Sequence, residues 1–150
     1  MKVILSLLIL FALAVAGCNK DKFTTAPQVK IKSISPHTVE NGNLISLEGR
    51  YTDQEGDLDT FLIVYKWYNG AIAVKNDTFR YAIGNLGLPA KTKQADFSVD
   101  FQYNTINPGY ITLPGVSVRD TTATLGLILV DKKNNRSDYA ESDQIRLKKP

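Results

Sequence analysis

Apolar and polar residues alternate along most of this chain with the period of two that a half-buried strand requires. Val29 and Ile31 alternate with Lys30 and Lys32. Residues 44–51 place Ile45, Leu47 and Tyr51 on one face. Residues 61–68 are apolar or aromatic on both faces, with Ile63, Tyr65 and Trp67 on one side and Leu62 and Val64 on the other. A strand of that kind belongs inside a sheet rather than at its edge. Asn69-Gly70 follows, the pair that most strongly marks a two-residue type I′ hairpin, and leads into 71–74. Residues 79–83 read as another strand. Residues 84–93, with two glycines and a proline, read as a loop. Residues 95–103 give the cleanest alternation: Phe97, Val99, Phe101 and Tyr103 face in, while Ser98, Asp100 and Gln102 face out. Pro114-Gly115 interrupts 111–118 and demotes it to an irregular or edge strand. Residues 122–130 form a long strand apolar on both faces, and 139–147 finish the chain with Ile145 and Leu147.

Past residue 18 no amphipathic helix is evident. About seven to nine short strands at this spacing predict an all-β fold, an immunoglobulin-like antiparallel β-sandwich. Trp67 on an interior strand suits its core. The 150 residues suffice for one such domain, placed at 28–150.

The first residues differ. Lys2 precedes a 14-residue apolar run at 3–16. A membrane-spanning helix needs roughly 20 apolar residues, so this run reads as a secretion signal. Residues 18–27 then form a short polar tether. Removing the leader with Lys2 takes the net charge from +3 to +2. The charges are interspersed, without the basic block that tracks nucleic acid. A single cysteine excludes an intrachain disulfide, and one cysteine with one histidine excludes zinc sites built on several such ligands.

Leu13-Ala14-Val15-Ala16-Gly17-Cys18 resembles the lipobox of bacterial lipoproteins. The resemblance implies cleavage after residue 17 and a lipidated Cys18 carrying a diacylglycerol and an N-acyl chain (palmitate-type acylation). Several acyl chains anchor durably where one does not. Lys20-Asp21 after that cysteine is similar to surface-export signals of Bacteroidetes lipoproteins, so the expected address is the outer membrane, on its periplasmic face or at the cell surface. Asp53-Gln54-Glu55-Gly56-Asp57-Leu58 resembles the Asp-x-Asp-Gly-Asp-Leu/Ile segment of immunoglobulin-like domains in Bacteroidetes surface lipoproteins. Glu55 stands where that segment has Asp, and Asp59 where it often has Gly. Asp131-Lys-Lys-Asn-Asn135-Arg-Ser137 is similar to the Asp-x-x-Gly-Asn-x-Ser turn before the last strand of such repeats. Asn134 replaces the Gly, a tolerable change because Asn also enters the left-handed region. Residues 70–120 carry no such resemblance.

The candidate chemistry sits in that first segment. Asp53, Glu55, Asp57 and Asp59 repel one another unless water, Lys or a cation neutralises them. Ca2+ takes six to eight oxygens at about 2.3–2.6 Å. Asp53, Glu55, Asp57 and Asp59, with a backbone carbonyl and Asp131 from a neighbouring corner, offer such a set. The spacing is not that of an EF-hand. The plainer alternative is a solvated acidic turn capped by Asp and partnered by Lys. No catalytic set emerges: His37 follows Ser35-Pro36 in a loop, without a nucleophile-elbow motif. Four acids on one corner also differ from the paired acids of a glycosidase cleft. Among the aromatics, Trp67 and Tyr103 are expected in the core, and Tyr68, Tyr81 and Tyr110 at the surface. The sequence thus predicts a non-enzymatic, lipid-anchored module with a structural or binding role. Its partner would be a protein or glycan. The alternatives are a glycan receptor, a subunit docking a larger membrane complex, or a small hydrolase.

Overall fold

A computed structural model describes residues 25–89, 91–116 and 118–149. Two β-sheets pack face to face. The chain contributes β1 (Gln28–Ser35), β2 (Thr38–Val39), β3 (Leu44–Thr52), β4 (Leu58–Asn69), β5 (Ile72–Ala82), β6 (Gln94–Tyr103), β7 (Ile111–Leu113), β8 (Thr121–Asp131), β9 (Ala140–Glu141) and β10 (Ile145–Leu147). One 3-10 turn, Ile83–Leu86, follows β5. The front sheet runs β1-β3-β6-β7 and the back sheet β2-β10-β8-β4-β5, with β9 added to β8. The antiparallel sets β1-β3-β6 and β10-β8-β4-β5 match the A-B-E and G-F-C-C′ strands of the immunoglobulin-like sandwich. Two short pairings, β10 with β2 and β6 with β7, are parallel, so both sheets are mixed.

The core follows the alternation read from the chain. Ile45, Leu47 and Tyr51 of β3, Phe97, Val99, Phe101 and Tyr103 of β6, and Phe61, Ile63 and Tyr65 of β4 are all buried. They meet Ala123, Leu125, Leu127 and Leu129 of β8. Phe61 packs edge-on against both Tyr51 and Phe97. Gly49 leaves the space that Phe97 fills; a Cβ there would overlap its ring and the Lys30 carbonyl. Trp67 is half-buried, edge-on to Tyr65, at the margin of the core.

Four expectations change. The hairpin after β4 is centred on Gly70-Ala71, because Asn69 still pairs with Ile72. Gly70 has φ +61 and Ala71 is not among the positive-φ residues, so the turn is type II′ and not I′. Residues 72–74 and 79–82 belong to one continuous β5, with Ala71 in the hairpin turn and Ile83 in the 3-10 turn. Its polar middle, Lys75–Thr78, reflects exposure at a sheet edge, not a break. Gln102, expected to face out, is buried and donates to the Gly42 carbonyl.

The fourth change concerns 139–147, which breaks into β9 and β10. The cause is a repeated Ser-Asp pair. Ser137 and Ser142 each accept a β8 amide on the hydroxyl, from Leu129 at 2.9 Å and from Leu125 at 3.0 Å. Each also donates its own amide to the same β8 residue's carbonyl. A hydroxyl thus replaces a main-chain carbonyl, and the strand bows away from β8 at each serine.

Between those serines Tyr139 lies across Gly126, whose hydrogen leaves room for the ring. One oxygen of Glu141, Oε1, accepts from Thr124 Oγ1 (2.7 Å), Lys66 Nζ (3.0 Å), Tyr68 Oη (3.1 Å) and Tyr139 Oη (3.1 Å). Burial pushes the Glu141 carboxyl up, but these donors outweigh it and hold it below the usual range. Lys66 also sits 4.3 Å from the centre of the Tyr139 ring. This cluster clamps the last connection onto the outer face of β8. Gly126→Ala would drive a methyl into the ring and lift Tyr139 from its partners. The expected loss is about 1–3 kcal/mol in urea denaturation. The same change in a Tyr139→Ser background should cost less than half as much, because the clash is gone.

Candidate acidic corner

Three segments meet at one end of the sandwich: the β3–β4 corner, the turn after β8, and the stretch before β6. The Asp53 amide donates to the Lys93 carbonyl at 2.7 Å, and the Lys132 amide to the Asp57 carbonyl at 3.1 Å. Gly56 turns the corner at φ +67, beside the Lys91 main chain.

The five acids predicted here divide into three roles. Asp53 and Asp131 are buried and close the two turns. Asp53 accepts the Glu55 amide at 3.2 Å and the Asp57 amide at 2.8 Å. Asp131 accepts the Lys133 and Asn135 amides, each at 2.8 Å, and the Asn135 side-chain amide at 2.7 Å. Asn134, between them, has φ +65, so it does occupy the left-handed region that its place in the turn demands. Glu55, Asp57 and Asp131 converge, each offering a carboxylate oxygen within 4.8 Å of the others. Asp59 does not join them. The β4–β8 ladder shifts register between Leu58 and Thr60, and Asp59 accepts the Thr60 hydroxyl at 2.7 Å instead.

Sequence reasoning missed Lys133, which the acids use as their counter-charge. Its Nζ lies 2.5 Å from Glu55 Oε2. Glu55, and behind it Asp57 and Asp131, hold the Lys133 ammonium above its usual pKa. A Lys two residues after a turn-closing Asp, facing an acidic corner, was the signal available. The neutralisation is incomplete. Asp57 Oδ1 is buried without a hydrogen-bond partner. Burial pushes the Asp57 carboxyl up, as do Asp53, Asp131 and Glu55, with Lys133 opposing them. Chemically this is a hard-oxygen cluster with one unsatisfied oxygen. The donor set suits Ca2+ or another hard cation, and suits neither zinc nor a soft metal.

The other candidates do not assemble into a site. Cys18, with the signal and most of the tether, lies outside the described residues. His37 is exposed, and its main-chain carbonyl accepts the Arg146 amide. Tyr68, Tyr81 and Tyr110 fall on the outer face of β4, on the inner side of β5 and on the loop after β6, so they form no shared platform.

No family model matches the chain, and no curated protein does. Solved structures that share a distant likeness include the following three. An alkylpurine DNA glycosylase, AlkC, from Pseudomonas fluorescens, bound to DNA containing an abasic site analog, is 13% identical, with a TM-score of 0.41 over 87% of this chain and 33% of that one. The sporulation control protein Spo0M of Bacillus subtilis is 8% identical, with a TM-score of 0.39 over 83% and 49%. A Niemann-Pick type C2 protein from Japanese carpenter ant is 10% identical, with a TM-score of 0.39 over 81% and 91%. This chain therefore spans about a third of the glycosylase chain and half of Spo0M. Likenesses this remote do not bear on what it binds.

The Asp57 environment fixes a sign. Its folded pKa lies above the unfolded value, so the protonated form stabilises the fold. That contribution is complete below the unfolded pKa and is lost as pH rises through the folded one. In EDTA, Asp57→Asn should therefore raise Tm at pH 7. The gain should shrink steadily toward pH 3, as followed by thermal melts at each pH.

Proposed function

We propose that the chain is a lipid-anchored outer-membrane module, of the Bacteroidetes surface-lipoprotein kind its sequence resembles. In this reading it is not an enzyme; it serves a binding or structural role, with the acidic corner steadied by Ca2+. The observation that supports this most is the polarity of the sandwich. Gln28, where the tether becomes β1, pairs with Thr52 beside the acidic corner. A chain anchored at Cys18 would hold that end nearest the lipid. Six exposed large apolar residues lie at the far end: Leu44, Ile72, Val74, Ile106, Tyr110 and Val118. Exposed apolar side chains gathered at one place mark interaction surfaces. Two of the six, Val74 and Val118, line one groove, which favours a partner-docking role over a glycan platform, for which the tyrosines are too dispersed.

Two measurements test this. In fractionated cells the full-length chain should pellet with the outer membrane and carry the added mass of its acyl chains. Cys18→Ala should move it to the soluble periplasmic or secreted fraction. A wild-type chain that is soluble and unmodified would sink the anchor. Separately, Ca2+ should raise the Tm of the wild type in a dose-dependent way, by about 2.7 kcal/mol of stability at a hundredfold excess over Kd. Asp57→Asn should respond weakly or not at all. A flat wild-type response would leave Lys133 as the corner's counter-ion among the described residues.

A further inference from the structure

At the end of the sandwich opposite the acidic corner, two shallow grooves adjoin. One, of about 380 Å³, is walled by Trp67, Val74, Val116 and Val118. The other, of about 460 Å³, is polar and lined by Asn69, Asp120, Gln144 and Arg146. Tyr68, Asn69, Arg119 and Thr121 line both, so the two make one amphipathic trough. The apolar half is held open rather than collapsed. The Val116 amide donates to Tyr103 Oη at 3.1 Å, and that hydroxyl donates to the Lys148 carbonyl at 2.9 Å. This fixes Val116 as the floor and leaves Val118 at the rim, 81% exposed.

Charge at this end is predominantly positive. Asp120 accepts from Arg146 at 3.1 Å, from Lys148 at 2.8 Å and from the Lys149 amide at 3.0 Å. One carboxylate thus serves two cations and a main-chain amide. Arg119, exposed and next to it in sequence, has no ion pair among the described residues. A free guanidinium between an apolar wall and a basic surface suits a carboxylate attached to something apolar.

The third feature is β5. It ends the back sheet and pairs on one side only, with β4. Val74, which walls the apolar groove, belongs to this edge strand. Its outer edge offers main-chain donors and acceptors to an added strand, the means by which extended peptides join a sheet. An acyl chain has no groups to pair with them, and only an extended peptide matches their strand spacing along the whole edge.

We propose that this trough binds an extended peptide segment in which apolar and acidic side chains alternate. The segment adds along the first half of β5. One apolar side chain lies over Trp67, Val74, Val116 and Val118, and a neighbouring carboxylate pairs with Arg119. This takes up the reading of a tethered binding module and gives the partner its chemistry.

The test uses the full-length chain as recovered from cells, in lipid nanodiscs if it is membrane-bound. The probe is a fluorescein-labelled, acetylated peptide of alternating Leu and Asp, followed by anisotropy. Saturable binding is expected. Val118→Asp and Arg119→Glu should each weaken it about tenfold or more, with unchanged thermal melts because both side chains are exposed. Lys30→Glu, at the tether end, should leave affinity unchanged. A peptide with Lys in place of Asp, or Ser in place of Leu, should fail to bind. No saturable binding, equal binding of the Lys peptide, affinity unmoved by both trough substitutions, or displacement by neutral oligosaccharides would each overturn the proposal. The anchor stands or falls separately. A chain that proved soluble, yet bound the peptide through Val118 and Arg119, would retain the trough and lose only the lipid.

Discussion

The antiparallel ladder between β4 and β8 is the constraint on which both ends of this molecule depend. It runs from Leu58 opposite Asp131 to Tyr68 opposite Thr122. Its inner side carries Phe61, Ile63 and Tyr65 beside Leu125, Leu127 and Leu129, all buried. A slip of one residue would turn that whole set to the outer face, so the register is strongly specified. Once it is set, the positions at either end follow. Asp131 comes level with the β3–β4 corner, and Thr121 comes level with the β4–β5 hairpin. The acidic corner and the amphipathic trough are two ends of one register.

That dependence explains why some features were legible in the sequence and others were not. The inward faces of β3, β4 and β6 could be read because burial on one face imposes the period of two. The corner acids were legible as a cluster because four of them are close in sequence. Their division of labour was not. Asp53 and Asp131 are turn-closing residues because each has amides of its own turn two and four residues on. Asp59 drops out because the ladder bulges at that point. Neither fact leaves a mark in composition. The trough was least visible of all. Its walls come from β4, β5 and the stretch before β8, joined only by pairing across about fifty residues of chain. It falls largely within the middle of the chain, where no family resemblance offered guidance.

Edges set the second kind of limit. Alternation fades wherever a strand has no neighbour or an improvised one. Lys75–Thr78 looks like a break because an edge strand needs polar residues on its exposed parts. The final connection looks like one strand because its apolar residues recur at suitable intervals. Ser142 interrupts it by offering a hydroxyl in place of a carbonyl to β8, as Ser137 does just before it. Serine is common enough that only its repetition with Asp, five residues apart, distinguishes the device.

The two ends also differ in how their charges are balanced, and the difference bears on what each can do. At the corner, acids outnumber the one lysine ion-paired with them among the described residues, and a buried oxygen of Asp57 is left without a donor. A cation there would complete an existing set of ligands and would act on stability. At the trough the imbalance has the opposite sign and lies at the surface. One aspartate is shared between two cations, and Arg119 remains over among the described residues. A surface imbalance costs the fold little, because water screens it. It therefore persists without a structural remedy, and it remains available to a partner. A charge imbalance that leaves a buried oxygen without a donor is a matter for the protein's own stability; an excess of exposed cations beside an apolar groove and a free strand edge is suited to recognition.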